Sequence, residues 1–150
     1  MTGGSNPARI HALGEIAIRC RDLPMMRAFY RDIIGLEILQ DFSEDGGIVF
    51  FRIAPGHGGH TIVLALFDLS AGAARGHPTG QVPTTGAGSS LHHLALTVDY
   101  AAQDRLRAFL DGNGVPHRTE HFDWIGWRGI FIEDPEGNTV EFVAGVPQDT

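Results

Sequence analysis

The chain has 150 residues, 43% of them hydrophobic and 19% charged, an ordinary composition for one soluble globular domain. A formal net charge of −7 argues against nucleic acid or an anionic membrane as the main partner. No apolar run approaches the ~18 residues of a membrane span, residues 1–12 lack the apolar centre of a signal peptide, and a single cysteine rules out an internal disulfide and fits a reducing, cytoplasmic setting.

In chain order, the first strand is expected from about Leu13 to Arg21. Asp22 offers a helix N-cap, and Pro24 sits where a first helical turn tolerates it. Met26, Phe29, Tyr30, Ile33 and Ile34 recur at helical spacing, and Gly35 ends the helix. Strands are expected at Leu36–Phe42, Ile48–Ile53 and Thr61–Phe67, with a turn at 43–47 and a Gly/Pro loop at 54–59. Residues 70–90 are rich in glycine and alanine without an apolar period and read as a linker. A strand at Leu91–Val98 follows. Asp99 is then expected to cap a helix that runs to about Leu110, with Leu106, Phe109 and Leu110 inward, and Asp111-Gly112-Asn113-Gly114 stops it. Three more strands are expected, from Val115 to about His121, from Trp127 to Glu133 and from Thr139 to Ala144. Asp134-Pro135-Glu136-Gly137-Asn138 forms a tight turn before the last of them.

The two halves share one order. A constant offset aligns Glu15 with His93, Ala17 with Ala95, and Ile16 and Ile18 with Leu94 and Leu96; the same offset sets Val63 against Glu141. This internal repeat implies an α+β protein of two βαβββ modules. Residues 13–145 are expected to form a single domain, with module one at 13–68, a linker at 69–90, module two at 91–145, and tails at 1–12 and 146–150. Strand alternation puts Leu94, Leu96 and Val98 on a helix-packing face and His93, Ala95 and Thr97 on the other, like the wall of a cup. Cys20 falls on the helix-packing face of the first strand and is expected in the core.

These pieces together resemble the vicinal-oxygen-chelate superfamily. They are Asp22-Leu23 leading to Phe29-Tyr30 and Gly35-Leu36, then His93 to Val98, then Asp134 to Asn138 leading to Val140-Glu141-Phe142. This group includes glyoxalase I, methylmalonyl-CoA epimerase, extradiol dioxygenases and fosfomycin- and bleomycin-resistance proteins. The resemblance implies a cup-shaped mixed sheet with a divalent metal (Fe, Mn, Ni or Zn) at its base. Carried over by position, the ligands would be Glu15, His93 and Glu141, with Val63 where a fourth is usual. The first position also departs from the pattern, since histidine or glutamine is more common there. The residues themselves agree with this carry-over. Each of the three lies in an apolar, alternating strand, where an inward carboxylate is costly unless it is paired or bound to metal. Ion pairing of Glu15 and Glu141 with Arg19, Arg21 or Arg128 is the alternative.

The implied reaction is a glyoxalase- or epimerase-like proton transfer on a small substrate with vicinal oxygens. The metal would stabilise an enolate, and Glu15 or Glu141 would serve as the base. Extradiol ring cleavage with Fe(II) is the second possibility, with Glu15 replacing one histidine of the usual facial set. A metal-free small-molecule binding protein is the third. His121, Trp124, Trp127 and Arg128 suggest a wall for an apolar or aromatic ligand, with Arg128 or Arg19 clamping a carboxylate. His92 should face away from His93, and His57 and His60 lie in a loop as a solvated pair or a second metal pair. His77 reads as linker filler. A homodimer is expected, in which the cup is built from one chain or two.

Overall fold

The computed structural model describes residues 4–71 and 80–148, so His77 lies outside the described residues. The chain divides into two units, Met1–Gln81 and Val82–Thr150. The first contains β1 (Glu15–Cys20), α1 (Leu23–Asp32), β2 (Glu37–Phe42), β3 (Ile48–Pro55) and β4 (Thr61–Asp68). The second contains β5 (Leu94–Thr97), α2 (Gln103–Gly112), β6 (Arg118–Phe122), β7 (Trp127–Glu133) and β8 (Thr139–Gly145). Each unit forms one four-stranded sheet, ordered β1-β4-β3-β2 in the first and β5-β8-β7-β6 in the second. The expected βαβββ repeat is therefore present in both halves.

In the first unit, Asp22 caps α1 by accepting the Met25 N–H at 3.0 Å, and Pro24 fills the first turn, where a missing N–H costs nothing. Leu23, Met26 and Tyr30 are the buried face of that helix. They share their core with Ile18, Cys20, Val49, Phe51, Leu64 and Leu66, which alternation sends to one side of the sheet. Cys20 and Tyr30 are fully buried, as expected.

In the second unit, Leu94, Leu96, Ile130, Ile132, Val140, Phe142 and Ala144 form the helix-side core with Leu110. The helix begins later than expected. A 3-10 turn at Tyr100–Ala102 precedes it, and the Asp99 side chain makes no capping hydrogen bond. Its inward residues are Gln103 and Leu110, while Phe109 is 42% exposed and does not join the core. Gln103 is fully buried because its amide is satisfied. Nε2 donates to the Arg128 carbonyl (2.9 Å) and the Phe142 carbonyl (3.1 Å), tying β7 to β8.

The turn between β7 and β8 is closed by Asp134. Its Oδ1 accepts the N–H groups of Glu136 (2.9 Å) and Asn138 (3.0 Å), and its Oδ2 accepts the Asn138 amide at 2.8 Å. Gly137 takes φ +88°, which a side chain would resist. This closure pairs Glu133 with Thr139 and hence Phe131 with Glu141. The Asp134→Ala variant loses three hydrogen bonds at a buried site. It is expected to lower stability by about 1–3 kcal/mol, read as a reduced urea midpoint with an unchanged m-value.

Candidate functional site

The second unit presents two unlike faces. Parallel pairing of β5 with β8 sets Ala95 beside Glu141 and Thr97 beside Val143. Antiparallel pairing of β8 with β7 sets Glu141 beside Phe131 and Val143 beside Gly129. Phe131 pairs onward with Arg118, and Trp127 with Phe122. Paired residues share a face, so Glu141, Phe131, Gly129, Trp127, Arg118 and Phe122 stand on the side away from α2.

His93, just ahead of β5, completes this face. Its Nε2 lies 3.1 Å from Oε2 of Glu141. The Glu141 side chain is 6% exposed and that of His93 33%, so the carboxylate is buried and the imidazole borders the opening. The ring of His93 meets Phe131 edge-on at 5.9 Å, and Phe131 meets Phe122 at 6.4 Å. Arg118 stacks over Phe131 at 4.3 Å and pairs with Glu120. A cleft of about 550 Å³ opens on the same unit, with Arg118, Phe131, Glu133 and Thr139 in its wall.

Gly129 is the place where this face makes room for a carboxylate. A Cβ there would come within 2.3 Å of Glu141 Oε1 and 2.9 Å of the Phe131 ring. The Glu141 side chain thus lies across a bare backbone, and only glycine permits it.

The expected wall residues separate. Arg128 faces the helix side, buried. Its Nε donates to Gln103 Oε1 (2.5 Å), its Nη1 to the Tyr100 hydroxyl (3.0 Å), and its guanidinium stacks on the Tyr100 ring at 3.9 Å. His121 is the cross-strand partner of Arg128 and stands on that side as well. Trp124 is 81% exposed in the β6–β7 turn, and Trp127 alone of the four shares the Glu141 face. Adjacent residues of a strand point opposite ways, which divides Trp127 from Arg128. Gly129 and Phe131 were legible from that same alternation, counted from Trp127, whereas Arg118 and Phe122 join the face only through the pairing of β6 with β7.

In the first unit, Glu15, Ala17 and Arg19 share the face away from α1, with Glu15 beside Val63 and Ala17 beside Ala65. Because Ala95 pairs with Glu141 in the other unit, the residue equivalent to Glu141 is Ala65, two positions beyond Val63. Neither can donate to a metal, so the missing fourth ligand stays missing. No ion pair or hydrogen bond joins Glu15 to Arg19, and Glu141 pairs with His93 rather than an arginine. His57 stacks on His11 with centroids 3.8 Å apart, and His60 packs beside Gly14. Among the described residues, no three or more histidine, cysteine, aspartate or glutamate side chains are gathered to hold a metal. His92 does not face away from His93, because the two Nδ1 atoms are 2.8 Å apart.

A family model described as the Glyoxalase/Bleomycin resistance protein/Dioxygenase superfamily matches residues 12–142. The chain belongs to this superfamily. Among solved structures, the superfamily member lactoylglutathione lyase from Agrobacterium tumefaciens is 27% identical, with TM-score 0.69 over 93% of this chain and 96% of that one. A glyoxalase/dioxygenase from Nostoc punctiforme is 22% identical, with TM-score 0.71 over 99% of both chains. A fosfomycin-resistance FosX variant from Listeria monocytogenes, complexed with Mn(II) and 1S,2S-dihydroxypropylphosphonic acid, is 18% identical, with TM-score 0.63 over 92% and 93%. The last two speak to the fold alone. A search of curated proteins finds no match. No helix among the described residues is long and apolar enough to cross a membrane.

The Gly129→Ala variant forces the Glu141 carboxylate off its seat. Overpacking of this kind is expected to cost about 1–3 kcal/mol, read as a lower thermal midpoint. A Glu141→Ala, Gly129→Ala double variant should recover part of that loss, because the clashing oxygen is gone.

Proposed function

We propose that this chain is a divalent-metal-dependent enzyme that moves a proton on a small substrate carrying vicinal oxygens. The observation that carries this reading is the His93–Glu141 pair over Gly129. Two donors of one cation at ~2.1 Å stand about 3.0–3.4 Å apart for octahedral to tetrahedral angles, and Nε2 and Oε2 stand 3.1 Å apart. An imidazole and a carboxylate are a fitting donor set for Mn, Fe, Ni or Zn, and the glycine gives the carboxylate its seat. Glu15 is the proposed third ligand, supplied by this chain or by a second copy in a homodimer. The 27% identity to a lactoylglutathione lyase supports the same direction.

A bound cation would polarise paired substrate oxygens and stabilise charge developing on them. The rest falls to the protein. Glu141, or Glu15, takes the proton from the carbon beside the polarised oxygen and returns it. Phe131 and Phe122 give the substrate an apolar seat beside the carboxylate. Trp127 extends that surface, and Arg118 offers a cation to an anionic substituent. His121, Trp124, Arg128 and Arg19 drop to minor candidates for substrate contact, Arg128 because its guanidinium is engaged by Gln103 and Tyr100. The aromatic surface beside Glu141 is the observation that favours the second reading, ring cleavage of a catechol with Fe(II).

The test is solvent exchange. In D2O, with Mn(II), Zn(II) or Ni(II) added and hydroxyacetone as a minimal vicinal-oxygen probe, the protein is expected to introduce deuterium at the carbon next to the carbonyl without consuming O2. Glu141→Gln should slow that exchange by about 10²–10⁴-fold. No exchange with any of these metals, together with O2 uptake on a catechol in the presence of Fe(II), would replace this reading with the second.

A further inference from the structure

Arg118 and Glu141 stand on one face of the second unit, two strands apart. Arg118 pairs with Phe131 across β6 and β7, and Phe131 pairs with Glu141 across β7 and β8. Two inter-strand steps of ~4.8 Å separate their backbones by roughly 10 Å, and Phe131 fills the interval. The guanidinium carbon of Arg118 lies 4.3 Å from the centre of the Phe131 ring, and the His93 ring centre lies 5.9 Å from it. Arg118 is fixed in this place by two contacts, the ring beneath it and Glu120, which accepts a hydrogen bond from its Nη1. A guanidinium carries five N–H groups in a planar fork, so engagement of one nitrogen by Glu120 leaves Nη2 and Nε to donate. The Arg118 side chain is 58% exposed, and the cleft of about 550 Å³ opens along it. His117, in the same wall, is engaged by Asp111 at 2.7 Å. Glu133, two residues beyond Phe131 on the same face of β7, adds a negative charge to the wall and turns an anion toward Arg118.

We propose that Arg118 is the specificity-determining residue of this site, selecting substrates that carry a carboxylate a short apolar link away from their vicinal oxygens. This inference rests on the reading of His93 and Glu141 as cation ligands in a proton-transfer enzyme, and it names the substrate class. A metal–oxygen contact of ~2.1 Å at one end and an N–H···O bond of ~2.9 Å at the other take up half of the interval and leave about 5 Å for the substrate. That is the reach of two methylene groups between a carbonyl and a carboxylate, and those methylenes would lie along Phe131. A guanidinium grips a carboxylate by two parallel bonds. One already stacked on an aromatic ring loses less freedom in doing so. The pair with Glu120 is exposed, and exposed pairs are weak, so it orients the guanidinium more than it satisfies it. Hydroxyacetone is too short to reach Arg118 and would forgo this grip.

The experiment compares 5-hydroxy-4-oxopentanoate with its neutral amide, 5-hydroxy-4-oxopentanamide, in the deuterium-exchange assay with Mn(II) and the full chain. Exchange at the hydroxyl-bearing carbon is expected to be about 10–100-fold higher in kcat/KM for the carboxylate. Arg118→Gln should remove most of that preference, and Arg118→Lys, a point charge without the fork, should keep part of it. Binding is read separately in the metal-free chain labelled with 15N-arginine. There the Arg118 Nε signal, assigned by its loss in Arg118→Gln, should shift on titration with the carboxylate and stay in place with the amide. Equal rates on the two probes in the wild type, a preference that survives Arg118→Gln, or an unmoved Arg118 signal overturns the inference, while exchange on both probes leaves the proposed reaction standing. A shifted Arg118 signal with no exchange on either probe or on hydroxyacetone keeps the anion grip and fails the proposed reaction.

Discussion

The candidate site depends on the register of β8 between its two neighbours. Because side chains alternate with period two, a slip of one residue would send Glu141 to the helix face and bring Val140 or Phe142 to the other. Asp134 guards against that slip from the turn, with three accepted hydrogen bonds that close the chain on Asn138. Gln103 guards against it from behind, bridging the Arg128 and Phe142 carbonyls on the residues next to Gly129 and Glu141. One buried carboxylate is thus held in place by a turn at one end and a buried amide on the opposite face.

The same register explains the division of labour between the two sides of β7. On one side Arg128 is absorbed into a polar cluster with Gln103 and Tyr100, its planar cation stacked and hydrogen-bonded at once. On the other side Gly129 and Phe131 form the floor and wall around Glu141. The polar residues on the helix side support the strand pair, and the aromatic residues on the far side shelter the His93–Glu141 contact. A buried carboxylate is costly unless it is partnered, and here the partner is a histidine that could itself bind a cation.

Much of this was legible in the sequence, because alternation, capping and turn chemistry are local. The Asp22 cap, the Asp134–Asn138 turn and the shared face of His93 and Ala95 follow from neighbours a few residues apart, and the βαβββ repeat follows from one constant offset between the halves. What was not legible depends on pairing across strands. The first-unit counterpart of Glu141 is Ala65 rather than Val63, because the parallel registers of the two units differ by two residues and no constant offset reveals that. Arg128 and His121 were grouped with Trp127 by proximity along the chain, although strand geometry sends them to the opposite side. The Gln103 position was readable as inward at helical spacing from Leu106 and Leu110, but its carbonyl partners lie on strands far away in sequence. His92 was expected to face away from His93 and does not, because it precedes the regular strand, where alternation no longer dictates direction.

The central claim is that His93 and Glu141 belong to a divalent-cation site. Elemental analysis of protein purified without chelator and without an affinity metal tests it most directly, beside a Glu141→Ala control. The account predicts close to one equivalent of manganese, iron, nickel or zinc per chain, lost in the control. Native protein that carries no such metal and takes none up on titration would contradict it, and would leave the buried pair with a purely structural role.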